Sequence, residues 1–175
     1  MADIFTDIRK LAGDKQKSTA WYQRKIRELG NRVSARRLIN QGALRRQPSN
    51  GKLNMFFYDP KLKNILPYYD RFPLVLPIDS AKGGFLGLNF HYLPIPLRIK
   101  LLEIIDKKGT DSSYSDLKKI NLIKPTIKHY LTNHLRSGFL RISEEDFLPA
   151  CLLPVQQFKK ASTSIVWSDS RRMVS

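Results

Sequence analysis

The sequence predicts an α+β fold: a small, curved antiparallel sheet of barrel-like outline, flanked by helices, with a basic helical N-terminal extension and an extended C-terminal tail. Three observations carry that expectation. Short apolar runs alternate with turn signals between residues 51 and 102, apolar residues at helical spacing bracket that stretch on both sides, and half of the charge surplus lies in the first 50 residues. Residues 1–50 accordingly read as a basic arm and linker, 51–155 as a compact core and 156–175 as the tail.

Taken in order, Ile4, Ile8 and Leu11 share a helical face before Gly13 and a polar stretch end it. Thr19 stands as N-cap for a second helical segment over residues 20–40, where Tyr22, Ile26, Leu29 and Val33 form one apolar stripe. Gly30 inside it costs about 1 kcal/mol relative to Ala, which leaves one helix or two. Residues 40–50 are polar and read as an arm or linker. Runs at 53–58, 72–78 and 85–92, separated by Tyr58-Asp59-Pro60, Tyr69-Asp70 and 79–84, read as buried strands, with 76–90 a hairpin turning at Lys82, Gly83 and Gly84. After Pro94-Ile95-Pro96, Leu97, Leu101, Ile104 and Ile105 fall on one helical face and Arg98, Lys100, Asp106 and Lys107 off it. Residues 109–113 are expected to be a loop, the most mobile point of the core. Pro125 is suited to open a further helix carrying Ile127, Leu131 and His134 on one face, ending near Arg136 and Gly138. Residues 139–142 read as a strand and 143–146 as a capped turn. The tail is polar except at 165–167 and carries the basic pair Arg171-Arg172.

Thirty-one Lys and Arg against 15 Asp and Glu give a net charge of +16. Such a surplus speaks of partners and not of fold: nucleic acid, an anionic membrane, or acidic protein surfaces. No apolar run approaches the roughly 18–20 residues that span a bilayer, and Asp3 and Asp7 stand where a secretion signal would be basic and then apolar. Cys151 is the only cysteine, so no internal disulfide forms; its Leu- and Pro-rich surroundings predict a buried, inert thiol in a reducing compartment.

No enzyme, metal or cofactor is expected. His129 and His134 are five apart, not at the four-residue spacing of a helical metal pair, and His91 stands alone at a strand end. The glycines at 83, 84 and 87 lack the spacing of a phosphate loop and fit a hairpin. Asp59, Asp70 and Asp79 stand where turn residues stand; the competing reading is a magnesium-dependent nuclease built on Asp59, Asp70 and His91.

The stronger signal is basic. Twelve cations against four carboxylates occupy residues 1–50, and eight of the twelve are Arg, whose planar fork suits phosphate. The candidate nucleic-acid-binding residues are Arg24, Lys25, Arg27, Arg32, Arg36, Arg37, Arg45 and Arg46. No base-reading motif accompanies them, so contact with double-stranded DNA would be to phosphate and independent of sequence.

The strings MFFYDPKLKNILPYYDRFPLVLPI (residues 55–78), GGFLGLNFHYLP (83–94), KPTIKHYLTNHLRSGFL (124–140) and VWSDSRRMV (166–174), with the Arg-containing helix at 96–102, resemble a family of small virion-associated proteins of T-even-like tailed phages. The resemblance points to the DNA end protectors, which sit on the end of packaged DNA and shield it from exonuclease. It implies a non-enzymatic virion protein, assembled in the host cytoplasm with other phage proteins and without a membrane. The alternative is a structural component of the neck, tail or baseplate whose basic arm and tail bind neighbouring subunits.

Overall fold

Local sequence signals divide the first 41 residues into three short helices. The structure, a computed structural model, describes residues 3–109 and 114–175. Helix α1 (Ile4–Ala12) is capped by Asp3, whose carboxylate accepts from the Thr6 amide at 2.8 Å. Helix α2 (Thr19–Leu29) is capped by Ser18, one residue earlier than expected, and helix α3 (Ala35–Gln41) by Ser34. The break between them falls at Gly30, whose φ of +53° is costly for any residue with a Cβ. Strand β1 (Leu44–Arg45) follows, so part of the expected linker is an edge strand paired with residues 139–140.

The remaining elements are β2 (Leu53–Met55), β3 (Tyr69–Asp70), β4 (Leu74–Ala81), β5 (Gly84–Asn89), α4 (Ile95–Lys108), α5 (Tyr114–Leu117), β6 (Ile127–Leu131), β7 (Phe139–Ile142), α6 (Phe147–Leu152), β8 (Phe158–Lys159) and α7 (Thr163–Val174). Six strands form one antiparallel sheet in the order β1-β7-β2-β4-β5-β6, and β3 and β8 pair separately. The predicted hairpin is β4–β5, with Leu76 opposite Leu88 and a register shift between Pro77 and Asp79. The sheet is open: its edges β1 and β6 do not pair, so the barrel-like outline does not become a closed barrel. It does curl, because the chain beyond β2 meets the chain beyond β6 at a bridge between Tyr58 and Leu135.

Strand alternation gives the sheet two apolar faces. Leu53, Met55, Leu74, Leu76, Leu88, Leu140 and Ile142 face the helices, where Ile8, Ile26, Leu101, Ile105, Ala150 and Leu152 complete one buried cluster. Phe56, Tyr58, Val75, Phe85, Tyr130 and Phe139 form a second cluster. Phe56 stands at its centre, 4.8 Å from Phe139 and 5.3 Å from Tyr130 between ring centroids, edge to face. Each buried apolar side chain stabilises the fold by about 1.5–3 kcal/mol. Cys151 is fully buried, and burial pushes its thiol up to about 12, as an inert core cysteine requires.

Three expectations are corrected. Residues 127–131 are an edge strand and not a helix. The helical spacing rested on Ile127, Leu131 and His134 alone, whereas the one buried residue of the segment is Tyr130, which packs with Phe56 on the strand's inner face. The C-terminal tail is not extended: α7 is capped by Ser162, and Val166 and Ser170, four apart, are buried against the body of the protein. Arg98 is also buried, because it shares the inward face of α4 with Leu101 and Ile105 at spacings of three and four. The loop expected over 109–113 lies, beyond Gly109, outside the described residues.

Gly84 is held by a close approach of backbone. A Cβ there would lie 1.8 Å from the Tyr130 carbonyl oxygen, which cannot yield without breaking β5–β6 pairing. Gly84→Ala is expected to destabilise the fold by about 3 kcal/mol, the upper part of the usual overpacking range. Urea denaturation measures this, and a loss below about 1 kcal/mol would show that β6 can shift outward.

Candidate nucleic-acid interface

Seven of the eight predicted cationic residues are exposed and Lys25 is partly so, along α2, the turn after it, α3 and β1. Two are engaged: Lys25 pairs with Glu28 at 3.1 Å, and Arg32 with Asp7. Arg24, Arg27, Arg36, Arg37, Arg45 and Arg46 meet no carboxylate among the described residues. The side chains are spread over successive elements and do not converge on one cleft; Arg27 lines one cavity and Arg46 another. Trp21 stands edge-on to Tyr22, and the ammonium groups of Lys17 and Lys25 lie 5.4 and 5.9 Å from its ring. This surface can neutralise phosphates along a backbone.

Of the three residues of the nuclease alternative, Asp70 and His91 pair in the interior and Asp59 stands apart from them at the surface. Asp59 sits at the surface with Lys63 at 3.0 Å and Arg136 at 3.5 Å, and the Lys63 hydrogen bond holds its carboxyl below the usual range. Asp70, expected in an exposed turn, is buried, and its Oδ2 lies 2.8 Å from Nδ1 of the buried His91. Asp70 also accepts from Asn89 Nδ2 and from the amides of Phe72 and Gln157, each within 3.1 Å. Burial alone would push this carboxyl up. His91 and the other three donors outweigh it and hold the carboxyl below the usual range. Burial likewise holds the His91 imidazole below its ordinary value, so a neutral ring donates Nδ1–H to Asp70. The pair is a solvent-excluded structural contact. His134 accounts for itself by a contact with the Asp59 carbonyl at 2.9 Å.

Two further features were not legible in the sequence. One is a groove lined by Asp59, Lys63, Tyr69, Arg71, Arg136 and Lys159, with four cations to one carboxylate. Its members come from four distant segments, and the β3–β8 pairing, which sets Tyr69 opposite Lys159, joins two of them. The other is an adjoining pocket of about 340 Å³ between β6 and residues 58–70; both hollows share Tyr69. Tyr58, Tyr68, Tyr92 and Tyr130 help line the pocket, and Lys128 of β6 enters it with its ammonium 3.9 Å from the Tyr92 ring centroid. Lys128 pairs in register with Gly87, over whose missing side chain Val75 packs. Burial pushes the Lys128 amine down to about 8, and no carboxylate or hydrogen-bond acceptor meets it among the described residues.

A family model described as "Phage T4 terminal DNA protecting protein" matches residues 6–170, from within α1 into α7. No curated protein and no solved structure matches the chain.

Acid should weaken the fold through the buried pair. Unfolded, His91 takes up a proton near pH 6.5 and folded it does not, so its contribution is complete above that pH and is lost as pH falls below it. Asp70, also depressed, adds a loss that begins near pH 4. Stability is expected to fall by up to about 1.4 kcal/mol per pH unit for the His91 proton. The check is urea denaturation from pH 8 to 5 beside NMR titration of the imidazoles; a His91 resonance titrating at or above 6.5 would contradict a neutral buried ring.

Proposed function

The chain belongs to the family of the phage T4 terminal DNA protecting protein, and from that premise we propose that it holds the end of packaged phage DNA and shields it from exonuclease. The family match over residues 6–170 is the observation that carries this reading. Its chemistry is supported by a net charge of +16 and by six exposed guanidinium groups without carboxylate partners. A protector needs no reaction. It has to neutralise enough backbone charge to stay bound and place a folded body where a nuclease would engage. The protein then acts as a non-enzymatic component of the virion, bound to DNA without sequence preference and in contact with other virion proteins.

Six neutralised phosphates imply a log–log salt slope of about −5. Binding to a blunt linear duplex and to the same sequence closed into a circle, across a salt series and with exonuclease digestion as readout, tests the proposal. Preference for the linear form, slowed digestion and that slope are expected. Reversing Arg36, Arg37, Arg45 and Arg46 to Glu should bring the slope to near −2 or shallower and remove protection. Equal binding to both forms with no protection would sink the proposal and turn the charge toward assembly with neck, tail or baseplate subunits.

A further inference from the structure

Phosphate contacts are the same in the middle of a duplex as at its end. The exposed arginines therefore supply adhesion but no preference for a terminus. A protein that favours ends needs a group that only a terminal nucleotide can reach. The pocket between β6 and residues 58–70 has the form for that. Its volume of about 340 Å³ lies at the lower end of ligand pockets, about ~300–1,000 Å³, and admits one nucleotide but no duplex.

We propose that this pocket seats the terminal nucleotide of a DNA strand, with the base against its tyrosine walls and the phosphate at Lys128. The inference rests on the end-protection reading and specifies where the end is recognised. Three observations point the same way. Lys128 stands in the pocket over the face of Tyr92 and meets no carboxylate among the described residues, so a phosphate would supply the anion its position lacks. Tyr68, partly exposed at the pocket wall and backed by the buried Tyr92 ring at 6.1 Å between centroids, presents aromatic surface of the kind on which bases stack without regard to sequence. The basic groove begins at the shared Tyr69 and offers Lys63, Arg71, Arg136 and Lys159 to phosphates further along the strand. Taking a base out of its stack costs a few kcal/mol, least where it is already unpaired, so a terminus is favoured over the interior.

The test compares a blunt duplex with one of equal duplex length whose ends are closed by hairpin loops, which keeps the phosphates of the duplex and has no free terminal nucleotide. Wild-type protein is expected to prefer the open duplex by at least about tenfold, the scale of one good charged contact. Lys128→Gln should bring that preference to within about twofold of unity, since it removes the phosphate's partner. Leu62→Glu provides a second variant: Leu62 is exposed at the pocket rim, so the change leaves the core intact and sets a carboxylate against the incoming phosphate. It should also abolish the preference. Preference for open ends in the wild type that survives in both folded variants would overturn the pocket assignment alone. A wild type that binds open and capped duplexes alike would overturn the end-protection reading and the pocket with it.

Discussion

The carboxylate of Asp70 is buried, charged and fed by four donors, and the packing of helices, sheet and C-terminus depends on how it is satisfied. Its donors come from His91, Asn89, Phe72 and Gln157, that is, from the turn after β5, from β5 itself, from two residues before β4 and from the approach to β8. His91 passes the constraint on. Its carbonyl accepts from Trp167 of α7 at 2.8 Å and from Arg98 of α4, while Arg98 also donates to the carbonyls of Leu93 and Cys151. Burial brings the Arg98 guanidinium down to about 10, still charged at neutral pH. Removing a carboxylate and a guanidinium from water costs several kcal/mol each, and their hydrogen bonds offset that cost without leaving much surplus. The network's contribution is therefore one of arrangement: its hydrogen bonds tie α4, α6, α7 and the approach to β8 to the turn after β5.

That arrangement explains what could and could not be read from the chain. The β4–β5 hairpin, the helices α1, α2 and α4, and the helical segment that holds α3 were legible because each is signalled by its own residues: a Gly-rich turn between apolar runs, or an apolar stripe at helical spacing. Strand β6 was not, because an edge strand of five residues has one neighbour and its pattern is set by what it covers, here Phe56 and Phe85. Asp70 looked like a turn residue because Tyr-Asp-Arg is common in turns; the partners that bury it lie 19, 21 and 87 positions away. Arg98 and the C-terminal helix were misplaced for the same reason, since each docks on the other through His91 and Trp167.

Of the candidate site, the exposed arginines were visible as a run of like charge, while the groove and pocket were not. Lys63, Arg71, Arg136 and Lys159 are unremarkable where each stands in the sequence, and they become neighbours through the β3–β8 pairing and the contact of residues 57–59 with 134–136. Lys128 was hidden by the helical reading of its segment, which singled out Ile127, Leu131 and His134 instead. Only the strand's pairing with β5 turns it toward the tyrosines.

The cations thus fall into three groups that differ in what surrounds them. Some are matched within the protein, as Arg9 is by Asp146 and Lys52 by Glu144 at 2.8 Å, and these tie segments together. Others project into water, where salt screens them and they act on any polyanion. Lys128 is half-buried in its pocket, where salt screens a charge less, so an anion seated there as proposed would hold at ionic strengths that weaken the exposed arginines. Adhesion through the arginines should fade with salt faster than recognition through the pocket. The difference between open and closed DNA ends then grows, in relative terms, as total binding falls. The Asp70 network matters here because Asp70 and Asn89 form part of the pocket wall, so the packing that positions the helices also sets the shape of the hollow in which Lys128 stands.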